Sequence, residues 1–256
     1  MRKILLFVWA CMGLVCLMSA CKTSVKSKEW KLVWVEDFDQ KNSFDESVWT
    51  KIPRGTSDWN NYMSYYDSCY AMQDGNLILR GIANHTQKND TAPYLTGGVY
   101  TKGKKLFTGG RVEVCARLQA AKGAWPAIWM LPEKAEWPKG GEIDIMERLN
   151  HDHIAYQTTH SYYTHILGIK DNPPHGGINK INPEEYNIYS VDIYPDSLVF
   201  AVNHRHTYTY PRIGYGQGRQ FPFYQPYYLL IDMQLVAHGL VLWIRKSYLW
   251  KCGWTG

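Results

Sequence analysis

Three acidic residues stand close together in the stretch G-G-E-I-D-I-M-E-R-L, which occupies positions 140–149. The β-branched and other apolar residues between them predict a strand, and side chains on a strand alternate between its two faces. Glu142 and Asp144 therefore share a face, whereas a regular strand sends Glu147 to the opposite one. One extra residue bulged out around Ile145 or Met146 would bring all three carboxyl groups to one side.

Three carboxylates on one face require an open groove, because burying unpaired charges is costly. Two carboxylates that flank a bound sugar are the groups that glycoside hydrolysis uses. One attacks or stabilises the anomeric carbon, and the other donates a proton. A third acid between them can share a proton with the nucleophile and help to keep the acid/base protonated. The alternative is a solvated strand face whose acids pair with nearby Lys and Arg side chains.

Strand-like runs separated by turn residues recur along the chain from about residue 30. The predicted strands cover 30–38, 76–82, 110–118, 142–149, 154–163, 186–194, 198–203 and 227–235. No window has the pattern of a long amphipathic helix, and we expect long polar loops at 83–95 and 164–184. Many short strands with this punctuation favour one all-β domain, a sandwich or a barrel, over a parallel α/β fold.

The first twenty residues have the pattern of a secretion signal. Arg2 and Lys3 precede the apolar run 4–18, which is short for a membrane span. The stretch M-S-A-C resembles a bacterial lipobox, with Met18 in the usual place of Leu. That resemblance implies cleavage before Cys21, lipidation of its thiol, and a polar tether over residues 21–29 that holds the domain at the cell-envelope membrane, on its periplasmic or surface side. Plain secretion is the alternative.

Charge and cysteine content argue against several classes of protein. The formal net charge of +5 falls to +3 without the two cations of the leader, which argues against a nucleic-acid partner. Beyond the leader, Cys69, Cys115 and Cys252 are too few and too scattered for a disulfide framework or a zinc site, although a Cys69–Cys115 bridge stays open. The 11 Trp and 19 Tyr residues suit a β core or a groove that stacks on sugar faces.

The sequence around the three acids resembles glycoside hydrolase family 16. The resemblance rests on G-G-R-V-E-V (109–114), G-A-W-P-A-I-W-M-L-P (123–132) and G-E-I-D-I-M-E (141–147), and it covers most of residues 32–235. It implies a concanavalin A-like jelly-roll sandwich of two curved antiparallel sheets with an open substrate groove. It also implies retaining endo-hydrolysis of a β-linked polysaccharide or glycan, by a monomer that uses no cofactor. The resemblance also allows a structural calcium ion away from the groove. We treat this ion as optional, because one of its usual ligands lies on the family's final strand, which the printed tail does not match.

The resemblance also implies roles for particular residues: Glu142 as nucleophile, Asp144 as its helper, Glu147 as acid/base, and Trp125, Trp129, His160 and Asn61 as substrate-binding residues. Core packing is the alternative for the two tryptophans, and a structural role is the alternative for the histidine. None of these positions implies a metal ligand. The family's usual N-N-E-x-Q-Y-Y is broken here by Tyr62 and Ser64, which argues against assuming glucan specificity.

The sequence leaves the substrate and part of the chemistry open. Candidate substrates are β-1,3-glucan, mixed-linkage glucan, β-galactan and mucin-type host glycans. A transglycosylase on the same bonds, or a glycan-binding module without catalysis, are the alternatives to a hydrolase. The three intact acids argue against a pure binding module.

The tail after Leu235 departs from the family pattern, which continues with a G-G-x-W turn and ends on a strand like W-x-D-W-V-R-V-Y. Back-translating 236–256 with one G added before the codon of Val236 gives G-G-S-W-V-G-S-V-D-P-K-E-L-P-V-E-M-W-M-D-W. We therefore interpret 236–256 as read out of frame within the domain 30–256; a divergent tail is the alternative. A chain with the printed tail would lack the final core strand, leave a neighbouring strand edge unpaired and expose Leu240, Leu242 and Trp243.

This interpretation predicts the result of sequencing the gene across the codon of Leu235. We expect one more G directly after that codon, because the added base restores both family motifs in order. A gene that reads in the printed frame would contradict the interpretation.

Overall fold

Antiparallel strands are the main secondary structure of the described residues. The computed structural model describes residues 30–40, 43–119, 121–235 and, for the backbone alone, 241–252. These residues form sixteen strands: β1 (Trp30–Glu36), β2 (Thr50–Lys51), β3 (Tyr70–Gln73), β4 (Asn76–Ala83), β5 (Tyr94–Thr96), β6 (Gly98–Tyr100), β7 (Gly110–Leu118), β8 (Ala124–Pro132), β9 (Glu142–Glu147), β10 (Ile154–His160), β11 (Gly176–Lys180), β12 (Asn187–Ile193), β13 (Ser197–Val202), β14 (Arg205–Pro211), β15 (Tyr227–Leu235) and β16 (Val241–Cys252). Short helical turns lie at Asp67–Cys69, Tyr162–Ile166 and Tyr215–Gly218.

The strands form two sheets that pack face to face. A nine-stranded sheet runs in the order β14-β13-β12-β7-β16-β4-β3, with β1 paired to β16 and β5 paired to β4. A seven-stranded sheet runs in the order β11-β10-β9-β8-β15-β6-β2. The prediction of an all-β jelly-roll sandwich is confirmed.

Alternation along the seven-stranded sheet separates a core face from a groove face. On β8, Ala124, Ile128 and Met130 belong to the main core between the sheets. The intervening Ala127 and Trp129 belong to a smaller cluster on the opposite face. The strand β15 follows the same rule, since its core residues Leu229, Ile231, Met233 and Leu235 alternate with Tyr228 and Leu230 of the smaller cluster. The outer face of this sheet is therefore the floor of any groove.

A bulge on β9 corrects the parity of the three acids, as predicted. Asp144 is paired with Trp129 of β8, and Met146 with Ile128, so Ile145 is the extra residue on β9. The pairing with β10 shifts at the same place, between Tyr156 and Thr158. Ile145 and Met146 are both buried in the core. Two successive side chains thus face inward, and the next one returns to the outer face.

Gln157 of β10 supports the bulge from inside the sandwich. Its side chain is fully buried. Its Nε2 donates to the main-chain oxygen of Ile145 at 2.8 Å and lies 3.2 Å from that of Ala201 on β13 of the other sheet. A bulged residue leaves the regular ladder, so its carbonyl needs such a partner when it is buried. One amide therefore holds the bulge and links the two sheets.

All eight predicted strands are present, and two of them, 110–118 and 227–235, have the predicted bounds. The loop predicted at 164–184 is partly wrong, because β11 lies within it. That strand, G-G-I-N-K, is short and lies at a sheet edge, and its only large apolar residue, Ile178, is exposed. It therefore carries no hydrophobic alternation to reveal it.

The strand β16 changes one expectation for the tail. Its backbone pairs with β7 on one side and with β4 and β1 on the other. The predicted unpaired strand edge is therefore wrong. Residue 240 and the side chains of 241–252 lie outside the described residues, as do 236–239, so the out-of-frame interpretation stays a prediction.

The predicted signal peptide 1–20, the lipidated Cys21 and the tether 21–29 also lie outside the described residues. Within the described part, no helix is long and apolar enough to cross a membrane. Cys69 and Cys115 form no disulfide with each other. Burial raises the pKa of the Cys69 thiol to about 12, so this cysteine is an unreactive core residue.

The role of Gln157 predicts a loss of stability in Gln157→Leu. The substitution leaves the buried carbonyl of Ile145 without its donor, so we expect the free energy of unfolding to fall by about 1–3 kcal/mol. Chemical denaturation measures this change. Gln73→Leu, at an exposed position of β3, is the control and should change the value by less than about 0.5 kcal/mol. Equal stability of the two variants would contradict the role given to Gln157.

Candidate active site

A groove of about 700 Å³ lies on the outer face of the seven-stranded sheet. Its lining includes six of the seven residues predicted to act on substrate: Glu142, Asp144, Glu147, Trp125, Trp129 and His160. The acids come from β9, the tryptophans from β8 and the histidine from the end of β10. Three adjacent strands with matched registers thus bring side chains from separate parts of the sequence into one site.

His160 stands beside the first two acids because it is paired with Glu142 across β9 and β10. Its Nε2 lies 3.2 Å from Oδ2 of Asp144 and 3.8 Å from Oε1 of Glu142. The ring is not aligned for a hydrogen bond, so the buried Oδ2 of Asp144 receives none from the described residues. The contact is therefore an electrostatic one, and it becomes attractive when the ring is protonated.

Burial and mutual repulsion raise the pKa of two of the acids well above ordinary values. For Glu142 the largest cause is desolvation, followed by the charge of Asp144; the His160 ring and the Trp137 indole counteract part of the rise. For Asp144 desolvation again comes first, then the charge of Glu147. Neighbouring carboxyl groups in a low-dielectric site cannot all ionise, so protons are retained and shared within the cluster.

Glu147 has a close hydrogen-bond donor on the neighbouring strand β8. Nε1 of Trp125 donates to Oε1 of Glu147 at 2.7 Å. Desolvation raises the pKa of Glu147, and this hydrogen bond lowers it again in part because it stabilises the carboxylate. Trp125 thus holds the Glu147 carboxyl group in place and moderates its acidity.

Two other predicted substrate-binding residues, Trp129 and Asn61, offer little or no surface to the groove. Trp129 lines the groove but is only 5% exposed. Its indole packs edge-on against Trp59 at 4.8 Å, so the alternative of a packing role describes most of this side chain. Asn61 does not line the groove, and its buried Oδ1 accepts no hydrogen bond from the described residues. Its role as a sugar ligand stays a prediction.

Three aromatic groove residues were missed by the sequence reasoning: Trp59, Trp137 and His165. Trp137 has the most accessible indole of these, at 47% exposure, and its ring contacts that of His165 at 4.4 Å. Trp59 stands two residues before Asn61, and Trp137 lies five residues before the first acid. Aromatic residues in the segments between the predicted strands were the signal that could have found them.

A buried carboxyl group supports the groove floor from β15. Asp232 is fully buried and accepts hydrogen bonds from Nε1 of Trp129 and Nε2 of Gln234, each at 2.9 Å. Desolvation raises its pKa to about 7, against the effect of both donors. The carboxyl group fixes the Trp129 indole beneath the acids, and it was not predicted as part of the site.

The described residues hold one cluster that could ligate a metal ion, formed by Glu142, Asp144 and His160. Calcium prefers oxygen ligands, so a set that contains an imidazole is a poor fit for it. The cluster also lies in the groove, whereas the expected calcium site lies away from it. The structural calcium ion therefore stays a prediction, and no step of the chemistry below depends on a metal.

Comparison with known proteins identifies the family. The model of the XgeA-like, catalytic GH16 domain matches residues 67–183, which include all three acids. A keratan-sulfate endo-1,4-beta-galactosidase from Sphingobacterium multivorum is 37% identical over 215 residues, covering 82% of this chain and 50% of that protein. The chain belongs to glycoside hydrolase family 16. The resemblance deduced from the acid motif is thus confirmed.

Two further relatives support the assignment to glycoside hydrolase family 16. A beta-glucanase from Rhodothermus marinus is 29% identical over 234 residues, which cover 85% of this chain and 80% of that protein. The crystal structure of the laminarinase from Rhodothermus marinus superposes with a TM-score of 0.76 at 25% identity, covering 87% of this chain and 98% of that one. The chain spans about half the length of the galactosidase and most of the length of the two glucanases.

The hydrogen bond between Trp125 and Glu147 predicts a pH effect of Trp125→Phe. Loss of the donor destabilises the Glu147 carboxylate and raises its pKa. If Glu147 must be protonated to act, the basic limb of the pH profile of kcat/KM moves to higher pH. Trp59→Phe, at another wall of the same groove, is the control and should leave that limb in place. A basic limb that is unchanged in Trp125→Phe would contradict this role of Glu147.

Proposed function

We propose that this family 16 domain is a retaining endo-hydrolase of internal β-glycosidic bonds in a polysaccharide or glycan. The observation that carries the proposal is the bulge at Ile145, which brings Glu142, Asp144 and Glu147 to one face of an open groove. The groove also offers exposed aromatic surface, including Trp137, on which sugar rings can stack. An open groove accepts a chain that continues in both directions, which suits cleavage at internal bonds.

In the first step, a carboxylate oxygen of Glu142 attacks the anomeric carbon while Glu147 gives its proton to the glycosidic oxygen. The bond to the leaving sugar breaks, and a covalent glycosyl-enzyme forms with inverted configuration. The raised pKa of Glu147 suits this role, because it keeps the carboxyl group protonated closer to neutral pH. The hydrogen bond from Trp125 aims that carboxyl group.

In the second step, Glu147 acts as a base and removes a proton from a water molecule. The water oxygen attacks the anomeric carbon, the bond to Glu142 breaks, and the second inversion restores the original configuration. Repeated inversion is what makes the overall reaction retaining. An acceptor sugar in place of water would give a transglycosylase with the same residues.

Asp144 controls the protonation state of the nucleophile Glu142. It lies between the other two acids and its pKa is raised, so it can hold a proton that is shared with Glu142. Transfer of that proton toward Asp144 leaves Glu142 ionised for attack. His160 offers a nearby positive charge, when protonated, that offsets the repulsion between the two.

The proposal also covers the cellular location, the oligomeric state and the substrate of the protein. The leader pattern supports tethering to a bacterial envelope membrane through lipid on Cys21, with secretion as the alternative. We propose further that the protein acts as a monomer. Hydrolysis by the two carboxyl groups and a water molecule requires no cofactor. The relatives' names point to two substrate classes, keratan sulfate with its β-galactosidic bonds and β-glucans, and both belong in the test.

The test is a digest of a β-glycan panel with the printed chain, a version with the repaired tail, and Glu142→Ala. We expect oligosaccharides of several lengths from the printed chain, from the chain with the repaired tail, or from both. Glu142→Ala should give none. Nuclear magnetic resonance of the first products should show the β-anomer. Products with added acceptor sugars would favour the transglycosylase, and binding without products from the folded chain would favour the glycan-binding module.

The roles of the two outer acids are separated by azide rescue on a substrate with a good leaving group. In Glu142→Ala, azide occupies the site of the missing nucleophile and should give the α-glycosyl azide by a single inversion. In Glu147→Ala, azide should intercept the glycosyl-enzyme and give the β-glycosyl azide. Without azide, Glu147→Ala should turn over a poor leaving group about 10²–10⁴-fold more slowly than wild type. The opposite assignment of the two azide anomers would contradict these roles.

A further inference from the structure

A second cavity of about 610 Å³ lies next to the catalytic groove and takes no part in the chemistry above. We call it the basic hollow and define it by Lys139, Tyr162, Arg219, Tyr224 and Gln225, which are among its lining residues. The charged side chains in its lining, Lys139 and Arg219, are both cations and both exposed. Its chemistry is therefore suited to an anion.

The basic hollow and the catalytic groove share their dividing wall. The loop that supplies Lys139 to the hollow supplies Trp137 to the groove. The turn Tyr162–Ile166 likewise supplies Tyr162 to the hollow and His165 to the groove. Trp137 and His165 contact each other at 4.4 Å. A polymer that leaves the groove over this pair of rings would enter the hollow next.

The side chains of the hollow combine charge with aromatic surface. The guanidinium of Arg219 lies over the ring of Tyr162, 5.1 Å from its centre, which orients its planar fork of donors in advance. Such a fork matches the paired oxygens of a sulfate ester or a carboxylate. Tyr224 is 60% exposed and offers a ring face to a sugar. These features together fit a sugar residue that carries an anionic group.

We propose that the basic hollow binds an anionic substituent, a sulfate ester or a carboxylate, on a sugar unit of the substrate outside the cleaved bond. This proposal rests on the proposed function and narrows its substrate class to acidic β-glycans. Lys139 and Arg219 are the residues that would select for the anion. The tyrosines would hold the sugar that bears it.

The test uses two matched pairs of chains: a sulfated β-galactan with its desulfated form, and a uronic-acid-containing β-glycan with its carboxyl-reduced form. Binding is measured by calorimetry on the full chain in a Glu142→Gln background, which prevents turnover, at low and high NaCl. Lys139→Gln with Arg219→Gln should weaken binding of an anionic chain about tenfold at low salt, since two charge-assisted contacts are lost. The neutral partner chain should bind with nearly the same affinity before and after the change.

Two control variants separate charge from shape. Lys88→Gln removes an exposed cation from the loop that follows β4, outside the hollow, and should leave the affinity for the anionic chain unchanged. Arg219→Lys keeps the charge but loses the planar fork over Tyr162, and should give an intermediate loss. In the enzyme with an intact Glu142, Lys139→Gln with Arg219→Gln should raise KM for the anionic polysaccharide and leave kcat nearly constant.

A loss confined to the sulfated pair identifies a sulfate site, and a loss confined to the uronic-acid pair identifies a carboxylate site. Equal binding of the charged and neutral members of both pairs, unchanged by Lys139→Gln with Arg219→Gln, overturns the proposal. The failure of the proposed function is a separate result, namely no cleavage of any chain by the wild-type protein. The binding measurement decides the role of the hollow in either case.

Discussion

Repulsion among three neighbouring carboxyl groups that burial has partly desolvated is the constraint around which this site is arranged. Each acid that ionises makes ionisation of the next more costly, and burial adds to the cost for all three. The surrounding side chains stabilise the three carboxylates to different extents. Trp125 donates to Glu147 alone, and His160 lies against Asp144 and Glu142. This inequality gives otherwise similar acids different protonation states, which a reaction with one nucleophile and one acid requires.

The sandwich supplies the rigidity that such crowding needs. Each strand that carries a groove residue also carries core residues at the alternate positions, so a side chain of the site cannot shift without disturbing the packing between the sheets. Gln157 ties the bulge to the opposite sheet, and Asp232 ties Trp129 to β15. The groove floor is thus held from behind by polar contacts as well as by apolar packing.

Much of this arrangement could be predicted from local patterns. The strands with strong apolar alternation were found, and the parity of E-I-D-I-M-E was sufficient to require a bulge. The short strands β2, β3, β5, β6 and β11 were not found, because segments of two to five residues carry too little pattern to separate them from loops. The longer strands β8 and β14 were not predicted either; β8 is apolar along nearly its whole length and so lacks the polar alternation that marks a half-buried strand. Asp232 and Gln157 were missed for another reason: their partners lie on other strands, so their roles depend on a register that no local window contains. Trp137 and the basic hollow depend on how loops fold over the sheet, which the sequence pattern does not determine.

The bulge also bears on how such a motif can change through evolution. Removal of Ile145 would turn E-I-D-I-M-E into E-I-D-M-E, and a regular strand would then carry all three acids at alternate positions on the same face. The longer and the shorter version present the same three carboxyl groups to the groove, and the difference is absorbed on the core side, where both Ile145 and Met146 are buried. Chemistry at this strand therefore depends on parity and not on a fixed spacing. A codon gained or lost at this one point is a step between two equivalent motifs. The same event within a neighbouring strand would turn the groove side chains beyond it on that strand toward the core.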